Sequence, residues 1–314
     1  MPFTFAHPAV IVPLARRWPA WLPLSALVMG SLAPDLIYLC SIPYTLPDQG
    51  QDMVAFLGVF PIDQQFGHGW PGMVVVSLST ALALLAFYHA VLKWPLVSLF
   101  PPAMRAQLIP VAQAFSWTRV GAVIDPIARC ARILVAALIG IATHVLWDGF
   151  THREGWAVDY VPWLQLPVAG QGPSALTVAE CLQMACSILG LAVLALWAWV
   201  WLRARPAVAP AASAITPWRA DRTRVALLTL GALGVVMVAG ANGLWTFHRM
   251  GGPLRFHGGI SVVGLWIVRL PAAILVVYAM YWWAVVGRKG LATLRDERPS
   301  ALTPVAPDMP TEIS

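Results

Sequence analysis

Charge is what this 314-residue chain has least of: Asp, Glu, Lys and Arg together make up 11% of it. Ordinary soluble domains carry about 25%. A chain this poor in ions cannot cover itself with a solvated surface, so the soluble globular classes are excluded. Cysteine is also scarce, with four residues, Cys40, Cys130, Cys181 and Cys186, and no C-x-x-C pair. That excludes a disulfide-stapled scaffold and the usual thiolate metal sites. The four are expected to be buried thiols. Acidic residues are fewer than basic ones, 14 against 20, leaving a net charge of +6. A basic balance can serve nucleic acid or anionic lipid. In a membrane protein it is first a loop charge that sets topology, so no nucleic-acid partner is expected.

Apolar residues fill the space that charge leaves: 59% of the chain is hydrophobic and its mean hydropathy is +0.72. A bilayer-spanning helix needs ~20 apolar residues. Six runs meet or approach that, over 22–42, 72–92, 131–150, 178–202, 225–245 and 260–287. The first is interrupted by Pro34 and Asp35. Ahead of it, FTFAHPAVIVPLA ends at Arg16-Arg17 and is short enough to be re-entrant or interfacial. The fold expected is an all-α, polytopic helical bundle of about six transmembrane helices plus a short N-terminal re-entrant helix. The start also has the outline of a signal peptide, but Pro34 directly after SLA at 31–33 disfavours cleavage.

Loop charge supports this count. With the N-terminal Arg pair, the 93–130 loop, Arg132 at the flank of the third span, the 203–224 loop and the tail on one side, that side holds sixteen of the 20 basic residues. Arg153, Arg249 and Arg255 fall on the other side, and Arg269 lies within the sixth span. The positive-inside rule makes the crowded side cytoplasmic, in a bacterial inner membrane. The expected organisation is a membrane bundle over 1–205, a linker over 206–224 centred on PAVAPAASAITP, two further helices over 225–287, and a disordered tail over 288–314. The proline-rich 93–130 loop is expected to be irregular before any helix resumes.

Ionisable groups inside membrane helices are costly and usually face the bundle interior. His144, Asp148 and His152 recur every fourth residue and so share one helical stripe. An imidazole with a carboxylate four residues later is a reasonable chelating pair, although H-x-x-x-D by itself also reads as a polar helix end at the interface. Asp35 lies about 13 residues into the first span, ~20 Å up by helical rise, and His144 has the same depth in the third. His68, in QQFGHGWPG, sits just before the second span at that level. His7 reaches it if the N-terminal stretch runs as a half-helix, and does not if the stretch lies flat. Converging nitrogen and oxygen donors of this kind suit zinc, and the extra carboxylate would also suit manganese or iron. Trp70 and Trp147 would supply a dry wall. Arg269 could pair with Asp35 or bind a substrate phosphate. No second polar cluster is evident in the inner halves of the spans.

MPFTFAHPA at the start, LPLSALVMGSLAPD at 22–35, the His68-Gly69 loop and HVLWDGFTH at 144–152 resemble a family of bacterial integral membrane proteins, the domain-of-unknown-function family 4184. The ordered set His, Pro-Asp, His and His-x-x-x-Asp is similar, more distantly, to membrane-bound metal-dependent hydrolases and the helical zinc-dependent phospholipase C type. That resemblance implies His7, Asp35, His68, His144 and Asp148 as metal ligands, and hydrolysis of a phosphoester. This chain departs from the usual His-Ser at the second histidine, having His68-Gly69.

The expectation is a divalent metal, zinc first, that activates water for attack on a lipid or lipid-linked substrate. Asp35 and Asp148 would act as ligand or general base, and His152 and Arg269 would lie at the rim or contact substrate. An ion- or proton-coupled transporter and a structural or assembly protein are the competing readings.

Overall fold

The computed structural model describes residues 4–13, 23–39, 41–45, 52–56, 60–63, 72–114, 126–153, 155–172, 175–204, 216, 221–249 and 254–296. The fold is an all-α, multi-pass membrane bundle. Among the described residues, five helices are long and apolar enough to cross a membrane: α3 (Val75–Leu99), α5 (Pro126–Thr151), α7 (Val178–Arg203), α8 (Asp221–Arg249) and α9 (Leu254–Val285). The predicted first span is shorter. It is the 16-residue α2 (Leu24–Leu39), which carries Pro34 and gives way to strand β1. Ahead of it lies the short apolar α1 (Thr4–Pro13), which begins as a 3-10 helix.

Strands β1 (Ser41–Thr45), β2 (Asp52–Phe56) and β3 (Phe60–Asp63) form a small antiparallel sheet in that order. It was not anticipated. Ile42, Tyr44, Val54, Phe56 and Ile62 are good strand formers, but each run is too short to stand out in an apolar chain.

The 93–99 stretch is helical, not irregular. A widened turn over Tyr88–Leu92 precedes it. Pro95 has no N–H for the Val91 carbonyl one turn back, and Trp283 Nε1 donates to that carbonyl instead, at 2.9 Å. Helix α4 (Pro102–Ala114) then opens with proline at its first position. Arg105 donates to the carbonyls of Ser98 and Phe100, and Arg224 donates to that of Leu99. Two guanidinium groups thus cap the negative end of α3. His89, Lys93, Ser98, Arg105 and Arg224 are all buried, so this end of the bundle does hold a second set of polar groups. The sequence hid it because these residues are dispersed over three elements.

Three other expectations are corrected. Helix α8 begins at Asp221, so the last four residues of the predicted linker are helical. The start of the predicted tail is helix α10 (Gly287–Asp296), set off by Gly287 at φ 33°. Its Leu291 packs on the core of Val97, Ile109, Trp282 and Val286. Cys130 is exposed, and Cys181 and Cys186 are half-buried free thiols. Cys40 lies outside the described residues.

The contact that positions the site is between α2 and α5. A Cβ on Gly30 would lie 2.2 Å from the Ala137 carbonyl oxygen, and one on Gly140 would lie 2.2 Å from that of Leu27. The two backbones touch there, which only glycine permits, and Ala26, Ala33 and Ala136 continue the small-residue seam.

Candidate metal centre

Close approach at Gly30 and Gly140 brings together the next turn of each helix. Asp35 follows Gly30 by five residues and His144 follows Gly140 by four, so both project beyond the crossing toward one point. Asp148, one turn further along α5, joins them on the same stripe. His7 arrives from α1. Here Gly190 of α7 makes room, since a Cβ on it would lie 2.9 Å from the Ala6 carbonyl oxygen. His7, Asp35, His144 and Asp148 are all buried.

The atoms are close. His144 Nε2 lies 3.0 Å from Asp148 Oδ2 and 3.5 Å from Asp35 Oδ1. His7 Nε2 lies 3.5 Å from Asp148 Oδ1. The two imidazoles stack with ring centroids 3.9 Å apart. One ligand atom from each of His7, His144 and Asp148 can be chosen so that all lie within 4.8 Å of one another.

Hydrogen bonds from outside the cluster orient its members. His144 Nδ1 donates to the Ser31 carbonyl at 2.7 Å. Pro34, three residues on, leaves the neighbouring Gly30 carbonyl without its helical donor. With Nδ1 held by the Ser31 carbonyl, His144 turns its Nε2 toward both carboxylates. A backbone carbonyl holding the far nitrogen is the usual support of a metal-ligating histidine. Thr4 Oγ1 donates to Asp35 Oδ2 at 2.8 Å, leaving Oδ1 directed at His144. His7 Nε2 is buried and makes no hydrogen bond.

These residues fit a divalent ion. Zinc bonds of ~2.1 Å in a tetrahedron put neighbouring ligand atoms ~3.4 Å apart; the two imidazoles approach Asp148 at 3.0 and 3.5 Å through its two oxygens, and one ligand atom from each of the three residues lies within 4.8 Å of the others. Charge points the same way. Two buried carboxylates need compensation. One imidazolium leaves the group at −1, whereas a divalent cation with two neutral imidazoles brings it to zero.

His152 stands at the edge. Its Nδ1 is 3.3 Å from the Asp148 carbonyl and 3.5 Å from Asp148 Oδ1. Burial lowers its pKa, which favours the neutral ring. The Gln183 amide donates to its Nε2 at 3.2 Å, so Nδ1 carries the proton and faces Asp148. His152 therefore turns an N–H toward Asp148. Gln183, Thr4 and Ser31 escaped the sequence reading. Gln183 had a usable signal, as an amide inside an apolar span. Thr4 and Ser31 had none, being unremarkable until tertiary contacts form.

Arg269 is half-buried on α9, and Asp35 is engaged by Thr4 and His144. His68 and Trp70 lie outside the described residues. Trp147 stands edge-on to His7, with centroids 6.3 Å apart. Ala6, His7, Trp147, Cys186 and Ser187 line a crevice too tight for water. The cluster is thus dry on its α7 side.

A family model described as a domain of unknown function (DUF4184) matches residues 1–250. That span includes every member of the cluster. No curated protein and no solved structure matches the chain.

Proposed function

The chain belongs to the DUF4184 family, and we propose that its buried cluster holds a divalent metal ion and hydrolyses a phosphoester of a lipid or lipid-linked substrate. The observation that carries this reading is the orientation of His144. Its Nδ1 is committed to the Ser31 carbonyl, and its Nε2 is aimed at two buried carboxylates beside a second imidazole. His7, His144 and Asp148 hold the ion, with zinc the first candidate and manganese or iron compatible with the added carboxylate. When bound, the ion supplies Lewis-acid activation of water and polarises a phosphoryl oxygen.

Asp35 is the general base. Thr4 fixes its Oδ2, so Oδ1 accepts the proton of the attacking water. The water oxygen bonds to phosphorus, the ester P–O bond breaks, and the departing alkoxide takes up that proton. His152 keeps Asp148 in place. The loop-charge bias puts the basic loops in the cytoplasm of a bacterial cell and the cluster in the outer half of its inner membrane.

The test is purification in detergent followed by elemental analysis and a phosphate-release assay on phospholipid vesicles. Stoichiometric zinc or manganese that is lost in His144→Ala and Asp148→Ala, together with metal-dependent release, is the expected result. A folded wild-type protein that takes up no metal after loading would overturn the proposal.

The approach of His144 Nε2 to Asp148 at 3.0 Å and to Asp35 of α2 at 3.5 Å favours one second reading, an imidazolium that pins α2 to α5 without chemistry. In that case chelators leave the melting temperature unchanged.

A further inference from the structure

The segment joining α5 to α7, WAVDYVPWLQLPVA at 156–169, is two-faced. It contains helix α6 (Trp156–Tyr160), a 3-10 turn over Pro162–Gln165, and strand β4 (Pro167–Ala169), which pairs with β5 (Leu176–Thr177). One face is core: Val158 and Leu164 pack with Ala179 of α7. The other face presents Trp156, Tyr160, Trp163, Leu166 and Val168, with Tyr160 82% and Trp163 54% exposed. A water-facing connection would be expected to carry polar groups there.

Two observations say what covers this face. First, it continues the apolar outer surface of the spans. Trp156 stands edge-on to Phe150 of α5, with centroids 5.6 Å apart. Phe150 and Leu146 are themselves exposed on α5, as are Met184 and Ile188 on α7. The apolar surface of the two helices, which the bilayer covers, therefore runs without a break onto the connection. Tryptophan and tyrosine at the ends of spans are the residues that settle at headgroup level.

Second, the backbone has partners of its own. The N–H groups of Val158, Val161, Leu164 and Leu166 bond to the carbonyls of Gly155, Ala157, Val161 and Trp163, and Val178 N–H bonds to the Leu166 carbonyl. The Gln165 side chain donates to the Val158 carbonyl at 2.9 Å. A segment in contact with lipid must satisfy its backbone without water, and this one largely does.

We infer that residues 156–168 lie in the lipid, their aromatic face immersed at the headgroup–acyl boundary of the leaflet next to the buried cluster. The partner of this surface is the bilayer itself. Asp159, the one charged residue of the stretch, is exposed and reaches the headgroup layer. The arrangement does not depend on a metal being bound.

Nitroxide labels on single cysteines, in a background with Cys40, Cys130, Cys181 and Cys186 replaced by serine, test this in phospholipid vesicles. Collision with oxygen reports lipid and collision with a nickel chelate reports water. Tyr160→Cys and Trp163→Cys are the probes, Leu146→Cys on the lipid face of α5 is the dry reference, and Gln171→Cys at the hairpin tip is the wet one. The expected result is an oxygen-to-nickel ratio at 160 and 163 close to that at 146 and at least several-fold above that at 171. Ratios equal to that at 171 would put the segment in water and overturn the inference. Low collision with both reagents would mean that protein, such as a second copy, covers the face, and would overturn it too.

Discussion

Adding one methyl group at the α2–α5 crossing should disable the cluster without touching any of its members. In Gly140→Ala the new Cβ would sit 2.2 Å from the Leu27 carbonyl oxygen and 2.8 Å from Ser31 N. Ordinary contact is ~3.5 Å, so the helices must part by about 1.3 Å. All the atoms in the way are backbone, and no rotamer can absorb the strain. Overpacking of this kind costs ~1–3 kcal/mol, against ~1 kcal/mol gained by replacing a helical glycine with alanine. The net change is therefore a destabilisation of up to ~2 kcal/mol.

The displacement falls one turn from His144 and acts on its bond to Ser31, 2.7 Å in the native protein. Metal sites tolerate ~0.2 Å in ligand distances, so metal affinity should fall by at least ~10-fold, as when an orienting partner is lost. The assay pairs thermal unfolding in detergent with chelator competition. Gly231→Ala and Gly234→Ala, where an added Cβ meets nothing within 4 Å, serve as controls and should be neutral or stabilising. A Gly140→Ala protein that melts no lower than these controls would refute the close crossing. One that melts lower but keeps full metal affinity would refute the claim that the crossing sets the cluster.

Two further perturbations separate the orienting groups. Thr4→Val removes the hydroxyl that donates to Asp35 Oδ2 and leaves that oxygen buried without its donor. Unfolding free energy should drop by ~1–3 kcal/mol, and phosphate release should fall more than metal content does; equal stability to wild type would count against the bond. Gln183→Leu removes the donor to His152 Nε2 and frees that ring to change tautomer. Metal affinity should weaken by ~10-fold or more and Gln183→Asn should recover little of it, because the shorter amide cannot span the gap; unchanged chelator competition in Gln183→Leu would show that His152 does not orient Asp148.

Much of the site was legible because its polar residues stand in an apolar background. Asp35, His144 and Asp148 were conspicuous as ionisable groups in spans, and equal counts along two helices put them at one depth. His7 was conspicuous as a type, but its position depended on whether α1 enters the bundle, and nothing local decides that. Arg269 was equally conspicuous, but residue type does not tell which side of a helix faces which neighbour. The polar groups at the C-terminal end of α3 were missed for the converse reason: Arg105 and Arg224 look like loop charge until they are seen capping that helix.

The sequence by itself determined the solvent. So little charge over so many apolar residues leaves a membrane as the only medium in which the chain can fold. It also determined the helical repeat that puts His144 above Asp148 on one stripe. Tertiary structure alone decided what those residues meet. A hydrogen bond from His144 to the carbonyl of Ser31, 113 residues away, exists only because two glycines let α2 and α5 touch, and one from Thr4 to Asp35, 31 residues away, only because α1 packs on α2. The allowed distance at that crossing is set by the absence of two methyl groups, and no periodicity along the chain records it.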